Sequence, residues 1–461
     1  MSTKMFSAVR SLYHDVACCV RVNGYCTKWF NVTSGLRQGC SLSTVLFNIY
    51  VNDLAILLKN LNKGISMGDE RVCILLYADD IVLLAENEVD LQEMLSLLNN
   101  WCLLNKMSVN ASKSSIVHFR PNSVPRSNYS FKCGETVIEY SSKYVYLGLV
   151  LTEYLDYAIT AKMVAQKCTN VVPIINYGAA IWGVRSFSCI NVVHHRAMRF
   201  YLGTGKYTPN AAVQGDMGWK PIVIEQWKTV CNHWSRCLYY HDYRINKKIF
   251  NWCLSKAGRN CKNWTYNAKE NLTASGLHTY LQAPFSSKQL QKDITGVIMN
   301  EHTTQWHNDI SRVSGLSGRG RNKLRSYKLF KDTYQVEHYC KLHMSYPHRS
   351  ALAKFRCGVA PLRLETGRYE NIPEHERLCP LCNNGVENEM HVLLECPSYE
   401  SDRSILTSKA VAVNSNYCTM SNTEKIQFLF THPDMIRILA KTCCNIIKVR
   451  SHTLFSKNAN I

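Results

Sequence analysis

The stretch LLYADDIVLLAEN, residues 75–87, decides how the chain is read. Two apolar runs, VCILLY (72–77) and IVLLA (81–85), flank Ala78-Asp79-Asp80, which reads as strand, turn, strand. Two adjacent carboxylates at such a turn cannot both be buried without a compensating charge. Mg2+ is the natural compensator, because it prefers a few hard carboxylate oxygens together with substrate phosphates. That equipment suits two-metal phosphoryl transfer, in which one ion activates the attacking hydroxyl and both stabilise the charge on phosphorus. An exposed acidic hairpin turn is the competing reading. A chance Tyr-x-Asp-Asp in a chain this long is a roughly few-per-cent event.

Working outward, Asn23-Gly24 between Val22 and Tyr25 is a hairpin signal, since Asn-Gly supplies the positive φ of a two-residue turn. Lys4 to Val20 reads as a helix leading into a strand. Residues 41–59 carry apolar side chains at helical spacing (Leu42, Val45, Leu46, Ile49, Leu54, Leu57, Leu58). Residues 89–104 read as an amphipathic helix, 115–119 as a strand, and 131–151 as two or three strands around Cys133-Gly134. Beyond about residue 153 helical patterns dominate, at 153–170, 188–202, 222–240 and 243–255. Residues 256–322 read as a polar basic linker with short helices. Helices are expected at 323–344 and 347–358, then a compact cysteine module at about 375–400 and a helical tail.

The 461 residues suggest two to four domains at ~100–200 residues each. With 46% hydrophobic and 19% charged residues, global disorder is excluded. No apolar run is expected to reach the ~18 residues of a membrane span, and MSTKMFSAVRSLYHD lacks the apolar segment of a secretory leader. The 21 cysteines are therefore expected to be reduced, in an intracellular setting, nuclear or cytoplasmic and not secreted. The net charge of +20 points to a polyanionic partner such as nucleic acid; a basic soluble protein with no such partner is the alternative. Residues 1–150 hold 14 basic and 12 acidic side chains, whereas residues 151–461 hold 40 and 22, so the excess lies in the second part.

Cys379-x2-Cys382-x8-His391-x4-Cys396 offers three thiolates and an imidazole at the spacing of a closed, structural Zn2+ site. Its neighbours Arg363, Arg368, Arg377 and Arg403 would either grip nucleic acid or surround a folding staple. The run 311–331 carries Arg312, Arg319, Arg321, Lys323, Arg325, Lys328 and Lys331 with no acid. It reads as a flexible phosphate-binding segment, or as a solvated linker. Cys18-Cys19 and Cys443-Cys444 read as core thiols, and His194-His195 as an exposed basic edge. Trp182, Trp219, Trp227, Trp234 and Trp252 read as core more readily than as base-stacking rings.

SGLRQGCSLSTVLFNIYVNDL (34–54) followed by LLYADDIVLLAEN resembles the palm of a reverse transcriptase, closest in spacing to non-LTR (LINE-type) retrotransposon enzymes. LQEMLSLLNNWCLLNKMSVNASKSSIVHF (91–119) resembles the helix and strand after the catalytic turn, and YVYLGLVLT (144–152) the primer-grip hairpin. CPLCNNGVENEMHVLLECP (379–397) resembles the zinc-binding motif of the same elements. The resemblance implies an α+β fold. A partial palm, an antiparallel sheet with helices on one face, would span 1–152. A helical thumb or connection (153–255), the linker (256–322) and a helical C-terminal region with a zinc knuckle (323–461) would follow.

It also implies a fragment of an RNA-directed DNA polymerase acting on an RNA template, a DNA primer or target DNA, and deoxynucleoside triphosphates, with no membrane. Asp79 and Asp80 match the catalytic Mg2+ ligands and Tyr77 the aromatic beside them. Arg37, Gln38 and Gly39 match the segment along template and nucleotide, and Lys113 a basic residue near the triphosphate. Arg319, Arg321, Lys323 and Arg325 are the candidate nucleic-acid contacts of the basic run. Two departures stand out. The third carboxylate of such a palm, from a Phe-x-Asp strand well before Leu36, has no counterpart: Asp15 is the only acidic residue in 1–36 and falls after the helix that would follow that strand. Ser43-Thr44 replaces the usual Ser-Pro. An N-terminally truncated, inactive palm with weak Mg2+ binding is the expectation. A non-catalytic nucleic-acid-binding remnant, using the basic helices and the zinc knuckle, is the alternative.

Overall fold

The computed structural model describes residues 3–33, 35–37, 39–68, 70–167, 176–258, 261–282, 285–311 and 323–459. The chain forms two compact units, Met1–Tyr144 with Thr152–Leu155, and Val145–Leu151 with Asp156–Ile461.

The first unit begins with α1 (Thr3–Leu12), β1 (Ala17–Cys18), β2 (Arg21–Val22), β3 (Tyr25–Cys26) and β4 (Phe30–Asn31). β2 and β3 form the hairpin expected at Asn23-Gly24, where both turn residues have positive φ (50° and 90°). α2 (Ser41–Asn60) follows, then β5 (Ile65–Met67), β6 (Glu70–Val72), β7 (Ile74–Tyr77), β8 (Asp80–Leu83), α3 (Glu88–Leu104), β9 (Phe131–Cys133) and β10 (Thr136–Ile138). β11 (Lys143–Tyr146) and β12 (Leu149–Thr152) follow in the chain.

α3 starts where the Asn87 side chain accepts from the Asp90 N–H at 2.9 Å, with Glu88 and Asp90 in the positive first turn. It buries Met94, Leu98, Trp101 and Cys102 against Val51, Leu54 and Leu58 of α2. The strands differ from the expected single sheet. Among the described residues they pair two by two into six separate antiparallel hairpins and ribbons. Each strand is only two to four residues long and runs into a turn before a third strand can join. Residues 115–119 contribute an isolated bridge, Ile116 to Tyr140, not a strand.

α2 also corrects an expectation, since its length and apolarity suffice by composition for a membrane span. Its inner stripe is the core of the unit, while Val45, Ile49 and Ile56 lie exposed on its other side.

The second unit is helical: α4 (Ala158–Lys167), α5 (Ala179–Trp182), α6 (Ser188–Leu202), α7 (Asn210–Met217), α8 (Ile222–Tyr239), α9 (Ile245–Lys256), α10 (Trp264–Ala274), α11 (Ser287–Ser311), α12 (His338–Lys341), α13 (Tyr346–Arg356), α14 (Arg363–Thr366), α15 (Glu400–Val413), α16 (Asn422–Thr431) and α17 (Ile436–Ala459). Two segments depart from expectation. The supposed linker holds α10 and the 25-residue α11, which buries Leu290, Ile294, Trp306 and Ile310. Its apolar positions are sparse, so its periodicity is weak, but these four meet a core. The expected helix 323–344 is mostly loop, with only the short α12 near its end.

That loop serves a buried ion network. Arg356 of α13 is fully buried and grips both Asp216 oxygens of α7 at 2.9 and 3.0 Å. It also pairs with Glu337 at 2.9 Å and donates to the Phe430 carbonyl at 3.1 Å. Lys331, also buried, pairs with Glu337 at 2.5 Å, and the Tyr327 and Tyr339 hydroxyls donate to Asp216.

Trp182, Trp227 and Trp234 are buried, as core residues should be. His194 and His195 are half-buried rather than on an exposed edge, and burial holds both near pKa 4. Cys443 and Cys444 are core thiols, but Cys18 is exposed.

Replacing Arg356 with Met should destabilise the chain by about 3–5 kcal/mol, because Asp216 is left buried and uncompensated. Urea unfolding followed by tryptophan fluorescence measures this. Arg356→Met combined with Asp216→Asn should lose less than Arg356→Met alone.

Candidate functional site

Two groups of chemistry-bearing residues are placed by the fold, one in each unit. In the first, β7 and β8 pair Leu76 with Ile81 and Tyr77 with Asp80, so Ala78 and Asp79 are the two turn residues. Ile74, Leu76, Ile81 and Leu83 face the α2–α3 core, and this packing holds the hairpin. Tyr77, on the other face, is 62% exposed. Ala78 has φ of 51°, a left-handed conformation that a residue with a Cβ adopts only at a cost. Asp79 and Asp80 are both exposed. Neither carboxylate therefore needs an ion to compensate burial, and that part of the sequence argument does not hold here. Nor is a third ligand at hand. Among the described residues, the one cluster of three or more potential metal ligands is elsewhere. The two carboxylates by themselves do not make a two-metal site.

The segment before α2 is also exposed. Gly39 has φ of +84°, with open space where a Cβ would stand. The Arg37 guanidinium lies 5.9 Å from the Tyr13 ring centre, and its carbonyl accepts from the Ser43 hydroxyl at 2.7 Å. The Cys40 thiol, at the N-cap of α2, is held below its ordinary pKa by the Leu42 and Ser43 backbone N–H groups. The amides at this helix start thus favour negative charge. Gln38 lies outside the described residues. Lys113 is exposed, and its carbonyl accepts from the Tyr144 hydroxyl at 3.3 Å. No hydrogen bond or ion pair among the described residues links Asp79 or Asp80 to Arg37 or Lys113. Asp15 sits exposed on its own turn, paired with His14 at 2.8 Å.

In the second unit, Cys379, Cys382, His391 and Cys396 converge, with one ligand atom from each lying within 4.8 Å of the others. Cys379 and Cys382 flank a tight knuckle closed by Cys379 N–H to Gly385 O at 2.9 Å and Asn383 N–H to Cys379 O at 2.8 Å. Gly385, with φ of +93°, lets the chain pass beside the imidazole: a Cβ there would stand 3.5 Å from Nδ1. A widened turn follows, in which the Cys396 N–H donates to the His391 carbonyl at 2.7 Å, an i→i+5 bond that brings both side chains to one side. Cys379 Sγ is 3.8 Å from Cys396 Sγ, and Cys382 Sγ is 3.3 Å from His391 Nε2. Glu395 stands 3.5 Å from Nδ1, placed to orient the ring. Three thiols and an imidazole this close fit a closed tetrahedral zinc set with no open position.

The cations around this centre are engaged internally. Arg363 donates two parallel hydrogen bonds to the Glu370 carboxylate, at 2.6 and 2.7 Å. Arg377 donates to the carbonyls of Ile372 and Leu364, and Arg403 to those of Cys396 and Val392. Arg368 faces Glu365 at 3.4 Å, Lys323 pairs with Glu365 at 2.7 Å, and Arg325 with Glu389 at 2.6 Å. Glu387, fully buried, is held by Arg450 of α17 at 2.8 and 2.9 Å. The module is thus built into the helical core rather than displayed with free charge. Of the basic run, Arg312, Arg319 and Arg321 lie outside the described residues. Lys323, Arg325 and Lys331 are tied into the fold, not on a flexible segment.

Residues 1–151 match the family model described as reverse transcriptase (RNA-dependent DNA polymerase). Three relatives show the kind. The Pol polyprotein of the type-1 retrotransposable element R2 from Popillia japonica is 35% identical over 102 residues, 22% of this chain and 14% of that protein. The transposon TX1 149 kDa protein of Xenopus laevis is 30% identical over 109 residues, 23% of this chain and 8% of that protein. The RNA-directed DNA polymerase from the mobile element jockey of Drosophila funebris is 25% identical over 163 residues, 34% and 17%. Over residues 1–151 the chain is therefore similar to the reverse transcriptase family, and these relatives are proteins of mobile elements of the non-LTR kind. It spans only 8 to 17% of the length of these three relatives.

The cysteine centre gives a direct expectation. Purified chain should carry one zinc, or take up cobalt with a thiolate absorption band. Chelation or Cys396→Ser should destabilise the second unit by on the order of 5 kcal/mol, read by thermal unfolding. Burial pushes the metal-free Cys379 thiol up to about 12 and raises Cys396 as well. At Cys382 the Asn384 N–H and the neighbouring thiols outweigh burial and hold the thiol low. Zinc must therefore displace protons, so its affinity should fall as pH falls.

Proposed function

We propose that this chain is part of an RNA-directed DNA polymerase of a non-LTR retrotransposon. Its first unit would be a partial palm, and its second the thumb-like helices and zinc knuckle. The observation that carries the reading is the β7–β8 hairpin, which displays Asp79 and Asp80 at an exposed turn with Tyr77 beside them, inside the segment that matches the family model. In this reading the two carboxylates are ligands of the divalent ions that serve nucleotidyl transfer in the intact enzyme. The α2 N-terminus with Arg37 and Gly39 would lie along template and incoming nucleotide, and Lys113 near the triphosphate. Gly39 suits close backbone approach, and the amides at the helix start favour phosphate. Every described cysteine is a free thiol, in keeping with an intracellular setting, nuclear or cytoplasmic.

The chain by itself should not polymerise. Two carboxylates without a third bind metal weakly, and nothing in their geometry clamps both the attacking and the leaving oxygen. That observation also favours a second reading, in which the chain holds nucleic acid without chemistry. The two are separated by primer extension on an RNA template with deoxynucleoside triphosphates and Mg2+. No processive product is expected from the chain alone. Extension that disappears in Asp79→Ala would overturn the incomplete-site reading and make the chain an enzyme in its own right.

A further inference from the structure

We propose that the surface where the end of α6 and the loop after it meet α13 is a stacking site for single-stranded nucleic acid, with Tyr207 and Tyr346 as base-facing rings and Lys206 and Arg349 as phosphate-facing cations. It rests on the nucleic-acid reading above and places one contact surface within it.

The surface is built by specific contacts. α6 ends at Gly203, whose φ of +66° turns the chain. A Cβ at Gly203 would stand 2.6 Å from the Ser350 Cβ and 3.1 Å from the Tyr346 ring, so only glycine lets α13 approach this closely. The Ser350 hydroxyl donates to the Gly203 carbonyl at 2.6 Å, and Arg349 Nε donates to the Tyr201 carbonyl at 2.9 Å. The Arg349 guanidinium lies 4.4 Å from the Tyr201 ring centre and 5.8 Å from that of Tyr346, a cation held by two aromatic rings. In the loop, the Lys206 ammonium sits 4.8 Å from the Tyr207 ring centre. Lys323, where the basic run enters the fold, donates to the Tyr207 carbonyl at 3.3 Å.

Despite this scaffolding the two outer rings stay uncovered, Tyr207 at 65% and Tyr346 at 54% exposure. The charge that these two segments contribute is of one sign. No Asp or Glu occurs between Asp156 and Asp216, nor between Glu337 and Glu365, so the two segments that meet here carry only cations. Neither Lys206 nor Arg349 has an ion-pair partner among the described residues, in contrast to the cations around the cysteine centre.

Open aromatic faces beside unpaired cations are what stacked bases and their phosphates require. The bases must be unpaired to offer their faces, which selects a single strand over a duplex. An acidic peptide would use the cations but leave the rings without a match.

The test uses the full chain and fluorescence anisotropy with three labelled probes: a single-stranded RNA, an abasic strand of the same length, and an acidic peptide. Tyr207→Ala with Tyr346→Ala should weaken RNA binding by roughly thirtyfold or more, the loss of two stacked bases. Binding of the abasic strand should change little. Tyr207→Phe with Tyr346→Phe, which keeps the rings, should retain RNA binding. Lys206→Ala should weaken both strands and flatten the salt dependence. Matching melting temperatures establish that the variants fold. Unchanged RNA affinity in the double alanine variant would overturn the proposal, as would an equal loss for RNA and abasic strand. Preferential loss of the acidic peptide would make the surface a protein-docking face instead. If the unsubstituted chain binds no RNA, the nucleic-acid reading of this unit falls with it. Primer extension, by contrast, bears only on Asp79 and Asp80.

Discussion

The second unit depends on one buried charge. Arg356 sits among apolar residues with no access to water, and a lone guanidinium there would be untenable. Asp216 supplies a two-point partner, Glu337 a second carboxylate, and Phe430 a carbonyl. Satisfying that one group joins α7, the loop before α12, α13 and α16. It explains why residues 331–337 are not helical: Lys331 and Glu337 must reach inward to the same network. Because α13 is pinned by Arg356, its residues Arg349 and Ser350 hold the end of α6 at a defined distance. The cysteine centre follows the same logic on a smaller scale, with buried Glu387 tied to Arg450 and Arg403 fastening the carbonyls of the ligand turn.

The first unit is organised differently. Its core is the contact of α2 with α3, and its short hairpins are held by packing rather than by a shared sheet. The consequence for chemistry is exposure. The Asp79–Asp80 turn, Gly39 and Lys113 all face solvent, whereas the cysteine ligands of the other unit are buried in its helical core, Cys382 alone partly exposed. One unit presents two exposed carboxylates; the other brings four potential ligands together within itself.

What the sequence made legible follows from how local each signal is. The β7–β8 turn, the Asn23-Gly24 hairpin, α2, α3, α6 and α8 each announce themselves within a few residues. The cysteine centre was legible because ligand spacing is a local constraint too. The reverse transcriptase resemblance rests on ordered motifs, and the family match covers those in residues 34–151 but not the cysteine motif at 379–397. What stayed hidden depends on distant partners. Nothing near Arg356 says that Asp216, 140 positions away, will neutralise it. α11 looked like linker because only four of its 25 residues are buried. The basic run looked free because its acidic partners, Glu365 and Glu389, come much later in the chain. One hidden feature had a readable trace: the acid-free stretches on either side of the Gly203–Ser350 contact.

The metal-binding role proposed for Asp79 and Asp80, two carboxylates with no third beside them among the described residues, is open to direct measurement. Mn2+, a hard cation that prefers oxygen to the thiols of the cysteine centre, reports on it directly when titrated into the chain and followed by electron paramagnetic resonance. That role is expected to give weak, saturable binding that vanishes in Asp79→Asn with Asp80→Asn while the melting temperature stays unchanged. Tight stoichiometric binding at this turn, or binding indifferent to both substitutions, would contradict it.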